Sequence, residues 1–176
     1  MSLMLWTFWT YSFFGYLLEK GYAATHGSQR ARKGFLLLPM CPVYGLGALA
    51  VLALPPSLTD GFWSLALWGG LAATAVEYVV HLLYDRLLGV RFWDYTQVRG
   101  NLRGRVCLPF SLAWSLLAAA GLPVVQGVLV PVLAAVPPAV TYAALLVFTA
   151  DAVVSLRLLR RAGDTEILSL RALGRA

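Results

Sequence analysis

The sequence predicts an all-α membrane protein of five transmembrane helices, with its N-terminus outside and its C-terminus in the cytoplasm. Three observations carry this. Of 176 residues, 60% are hydrophobic and 12% charged, half the charge of a soluble domain at about 25%, and the mean hydropathy is +0.73. The apolar residues come in long runs. The basic residues come in three clusters between those runs.

A bilayer core of roughly 30 Å needs about 20 mostly apolar residues per helix, and five segments meet this. The first covers about residues 3–24; no basic stretch precedes it and it outlasts a signal peptide, so it reads as a span. The second covers about 35–54, closed by Pro55-Pro56, and the third about 61–84. The stretch 106–156 is too long for one crossing and is broken by Pro123, Pro131 and Pro137-Pro138, each of which removes a helix bond and crowds the preceding turn. It divides into a fourth span from about 106 and a fifth over about 139–156, joined by an interfacial segment near 126–136. Residues 1–156 then form a single transmembrane domain, and 157–176 a basic amphipathic cytoplasmic tail, where Asp164 or Thr165 could cap a short helix.

The charges test this layout. Lys20, Arg30, Arg32 and Lys33 follow the first span. Arg86, Arg91, Arg99, Arg103 and Arg105 follow the third, and Arg157, Arg160, Arg161, Arg171 and Arg175 follow the fifth. These are all 14 Lys and Arg of the chain; the two remaining loops hold one charged residue, Asp60. Five crossings put every basic residue on one side, which the positive-inside rule assigns to the cytoplasm of a plasma membrane. The net charge of +6 is therefore a topology signal. With no groove-reading motif beside it, no nucleic-acid partner is expected. Two cysteines are too few for a disulfide framework.

Carboxylates within spans are costly and are usually turned inward and paired. Glu19, Glu77 and Asp151 lie on the first, third and fifth spans. At 1.5 Å per residue, all three sit within roughly 7–11 Å of the cytoplasmic boundary. Cys41 and Cys107, near the starts of the oppositely directed spans, reach the same level. The expectation is a polar pocket open to the cytoplasm; separate structural pairs are the alternative. Glu77 and His81 share a helical face, with Asp85 a turn further, but two or three such groups are a sparse ligand set and no metal is expected.

Two loops stand out. Pro39 and Pro42 open the second span, ahead of Tyr44, Gly45 and Gly47; the prolines free backbone groups that protein must satisfy, and the glycines allow close helix approach. Phe92, Trp93 and Tyr95 suit the headgroup layer. Asp94 among them is expected to pair with an arginine, Arg105 first. Arg105, at the start of the fourth span, could hold a phosphate with that helix's N-terminus. Cys107 next to it is either a packing residue or a thiol activated by its surroundings.

These residues carry a resemblance. Glu19, Gly34-Phe35, Pro39, Cys41-Pro42, Tyr44-Gly45, Gly47, Glu77-Tyr78, Trp93-Asp94-Tyr95, Asn101, Gly104-Arg105, Cys107-Leu108 and Asp151 resemble the pattern of the CmpB-like ABC-transporter type IV family of integral membrane proteins, over about residues 11–155. Lys33, Leu38, Phe92 and Arg103 depart from it, and His81 lies outside it. The resemblance implies a membrane-embedded transport component.

The first functional reading is accordingly a transporter or permease component. Its substrate-binding candidates are Glu19, Cys41, Tyr44, Glu77, Asp94, Asn101, Arg105, Cys107 and Asp151. The chain lacks a Gly-rich phosphate loop ending in Lys-Ser/Thr, so ATP hydrolysis would fall to a separate ATPase subunit. No cofactor is expected. Five helices are few for a transporter, which points to a homo-oligomer, with Gly69-Gly70 and Ala72-Ala73 as contact candidates. The second reading is an enzyme acting on a lipid headgroup or lipid-linked substrate, with Glu77 or Glu19 as base and Cys107 as nucleophile. A scaffold whose polar pairs are structural is the third.

Overall fold

The computed structural model describes residues 2–25, 34–163 and 165–168. Arg30, Arg32, Lys33, Asp164, Arg171 and Arg175 lie outside the described residues. Among the described residues the regular structure is helical apart from one two-stranded hairpin: α1 (Ser2–Thr25), α2 (Pro42–Leu52), α3 (Pro56–Thr59), α4 (Phe62–Leu83), β1 (Asn101–Leu102), β2 (Val106–Cys107), α5 (Leu108–Leu116), α6 (Leu122–Ala134) and α7 (Pro138–Ala162). A 3₁₀ turn, Thr165–Leu168, follows. Three helical stretches among the described residues are long and apolar enough to cross a membrane, namely Phe62–Leu88, Leu108–Ala134 and Pro138–Ala162.

The second apolar run differs from expectation. Only Pro42–Leu52 is helical, 11 residues or about 16 Å; residues 34–41 form an irregular, bent segment. Pro39 disfavours helix at Leu38, and Pro42 fits the first helical turn, where its missing N–H costs nothing. Neighbouring helices satisfy the unwound backbone. The Cys41 N–H donates to the Ser12 carbonyl (2.8 Å), that of Leu37 to Ser155 Oγ (3.2 Å), and that of Leu38 more weakly to Asp151 Oδ2 (3.4 Å).

The expected interfacial segment at 126–136 is instead helix as far as Ala134. A wide π-type turn, Leu117–Gly121, joins α5 to α6. The Leu122 N–H donates to the Leu117 carbonyl, and this register shift accommodates Pro123, which has no N–H to offer. Pro131 lies inside α6. The chain reverses only at Ala135–Pro137, and Pro138 opens α7. A second π-type turn, Tyr84–Leu88, extends α4 until Gly89 ends it at φ +65°. α7 continues to Ala162, where Gly163 (φ +63°) returns its N–H to the Leu159 carbonyl.

Small residues let the helices close on one another. Any Cβ on Gly45 would strike the Phe8 carbonyl and Ser12 on α1, and any Cβ on Gly70 would strike Ser115 on α5. Gly69 faces Ala118 and Val51. Ala73 is buried with Val51, Trp114 and Ala118, and Ala72 packs against that core. The small residues expected at an oligomer contact are thus used within the chain. Gly47 meets Ala73 while Val51 meets Gly69, so α2 and α4 run antiparallel. Trp6 bonds Thr141 and Phe8 packs on Phe148, so α1 and α7 run parallel.

Candidate functional site

Two buried carboxylates on different helices meet a single aromatic pair. Glu19 on α1 (7% exposed) accepts the Tyr44 hydroxyl at 2.8 Å. Glu77 on α4 (1% exposed) accepts the Trp114 indole N–H at 2.9 Å through Oε2 and the Tyr95 hydroxyl at 3.0 Å through Oε1. The Tyr44 and Trp114 rings touch, with centroids 4.8 Å apart. Side chains from α1, α2, α5, α4 and the loop before β1 thereby form one continuous unit. It depends on Gly15, because a Cβ there would run into the Tyr44 ring.

The aromatic pair lines one space, and a second, smaller one lies beside Glu19. Toward the middle of the bundle lies an apolar cleft of about 130 Å³ between α1, α2, α4 and α5–α6, lined by Gly15, Ala48, Val51, Ala73, Trp114 and Leu122 among others. On the Glu19 side is a small gap that also touches Cys41, Phe35, Tyr84 and Trp93. Glu19 and Cys41 therefore share a space, although at about 10 Å³ it is barely large enough for one water.

The remaining candidates separate into structural groups. Asp151, partly exposed on α7, faces the 34–41 segment and lines neither of these spaces. Asp94 does not pair with Arg105: its Oδ1 accepts the Thr96 N–H at 2.8 Å, and that donor holds its carboxyl below the ordinary carboxylate range. Arg105 sits in the hairpin turn, ahead of α5. Its guanidinium bonds Asp85 (2.9 Å) and Tyr78 Oη (3.3 Å), which raises its already high pKa. It is thus committed to α4 and is not presented with a helix N-terminus to a phosphate.

Asn101 closes the same loop, donating to the Val98 carbonyl (2.8 Å) and accepting the Gly104 N–H (2.9 Å). Gly104 needs its positive φ of +69° and leaves no room for a Cβ beside Thr96 and Asp94. Cys107 is 1% exposed, precedes α5 as its cap residue and lines neither space. Among the described residues no three His, Cys, Asp or Glu side chains gather as a metal site; His81 instead bonds the Trp93 carbonyl through Nε2 (3.0 Å).

Sequence reasoning missed Trp114 and misplaced Tyr95. Trp114 is the indole of the fourth apolar run, and an N–H in hydrocarbon needs an acceptor; Glu77 was the available one. Tyr95, expected among headgroups, is 6% exposed and stacks on Phe110.

The fold and site define a helical membrane protein that buries carboxylates within its bundle. A family model described as "Putative ABC-transporter type IV" matches residues 6–156, and the chain belongs to that family. No protein of curated function and no solved structure matches it.

Proposed function

We propose that the protein is the membrane component of a transporter, crossing the plasma membrane five times with its basic loops in the cytoplasm. One observation carries the site: Glu19 and Glu77, from separate helices, are tied into one unit by the touching Tyr44 and Trp114 rings. Family membership, the antiparallel α2 and α4 and the parallel α1 and α7 support the reading.

In this reading the Glu19–Glu77 pair at the cytoplasmic end is the polar site, and Tyr44 and Trp114 are the partition between it and the apolar cleft. A partition built from side chains of two helices, α2 and α5, moves when those helices move. Helix rearrangement, driven by an ATPase subunit on the basic loops, would open one side as the other closes. The chain would act as an oligomer of itself, because five helices enclose little space.

The test is purification from native membranes in mild detergent, followed by ATP hydrolysis and flux in proteoliposomes. The expected result is a co-purifying ATPase subunit whose coupled flux is lost in Glu77→Gln while the complex stays intact. A chain that purifies without an ATPase, from cells whose phospholipid headgroups change when it is deleted, would replace transport with the enzyme reading.

A further inference from the structure

The apolar cleft is not a packing accident of ordinary size. At about 130 Å³ it approaches the engineered cavity of about 150 Å³ that stays dry and binds benzene or xenon. Its two hydroxyls are already engaged: Tyr44 with Glu19 (2.8 Å) and Tyr11, at a longer 3.4 Å, with the Leu122 carbonyl. A trapped water needs two to four polar partners, and the lining offers none that is uncommitted. Whatever fills the cleft is apolar.

Its mouth is continuous with the lipid-facing surface. Phe14 and Leu18 on α1 and Leu117 on the α5–α6 side line the cleft and are 36%, 48% and 38% exposed. The inner wall is set before any ligand arrives, because Trp114 is held by Glu77.

We propose that this cleft binds part of one acyl chain of a bilayer phospholipid, entering between α1 and α6. A short run of methylenes fits the volume, and burying it restores the dispersion contacts that an empty cleft would forfeit. The site does not depend on the transport reading; it requires only that these helices lie in hydrocarbon.

The test uses the full chain in phosphatidylcholine nanodiscs doped with a phosphatidylcholine that carries a diazirine in one acyl chain, with adducts mapped by mass spectrometry after irradiation. Ala48 and Val51 are buried from every side except the cleft. Adducts on them, beside the general labelling of exposed Leu146, are the expected result. Ala48→Leu should abolish the Val51 adduct and leave Leu146 labelled. Adducts confined to exposed positions such as Leu146 and Val128 would overturn the proposal. The unsubstituted protein decides the matter alone if the variant does not fold.

Discussion

Trp114 gives its indole N–H to Glu77 at 2.9 Å while its ring rests on Tyr44, 4.8 Å between centroids. One side chain therefore satisfies a carboxylate and forms the wall of the apolar cleft. Its two tasks can be separated by substitution.

Trp114→Phe keeps an aromatic ring against Tyr44 and removes the donor to Glu77. Removing one partner of a buried hydrogen bond costs about 1–3 kcal/mol. A loss of that order is expected in reversible unfolding from detergent micelles, larger than for Tyr11→Phe, whose hydroxyl makes only the 3.4 Å contact.

Gly15→Ala should destabilise the protein and Gly21→Ala should not, although both lie on α1. A Cβ at residue 15 meets the Tyr44 ring, whereas one at residue 21 meets nothing within 4 Å. Overpacking costs about 1–3 kcal/mol, and Ala in an open helix position gains up to about 1 kcal/mol over Gly. Thermal aggregation midpoints of the two variants, falling for the first and unchanged or rising for the second, check this.

The loop before β1 should loosen in acid. The folded Asp94 carboxyl is held below its ordinary value by the Thr96 N–H, so its stabilising contribution is present above the unfolded value of about 4 and is lost as pH falls through the lower folded value. Hydrogen exchange at Thr96 is expected to lose protection relative to neighbouring helices over that interval. Asp94→Asn should remove the pH dependence.

Arg105→Lys keeps the charge but cannot reproduce the planar contacts to Asp85 and Tyr78. Faster trypsin cleavage after Arg99 and Arg103 is expected, with little change at Arg157. Equal cleavage of both proteins would show that Arg105 does not anchor the loop.

The parts of this fold that could be read in the sequence are those that hydropathy and charge control. The long runs that became Phe62–Leu88 and Pro138–Ala162, and the burial of Glu19 and Glu77, follow from the cost of charge in hydrocarbon. The irregular segment at 34–41 was signalled by Pro39 and Pro42, yet its length depended on Ser12, Asp151 and Ser155 being nearby to take its N–H groups, and pairings more than a hundred residues apart have no local signature. The helix through Pro123 was illegible for a related reason: a π-type turn absorbs the missing bond and leaves no mark on composition. Asp94 and Asn101 looked like binding residues because polar groups in a loop motif carry no sign of whether they face a ligand or their own backbone. Here the Thr96 and Gly104 amides take them.

The central claim is the threading that brings carboxylates from separate helices to one cytoplasmic level. It is tested most directly by single cysteines at positions 60, 99 and 157 in a Cys41→Ala, Cys107→Ala background, labelled with a membrane-impermeant maleimide in right-side-out and inverted vesicles. Five crossings predict that 60 reacts only in right-side-out vesicles and that 99 and 157 react only in inverted ones. Labelling of 99 and 157 from opposite faces would contradict the threading and remove the cytoplasmic site with it.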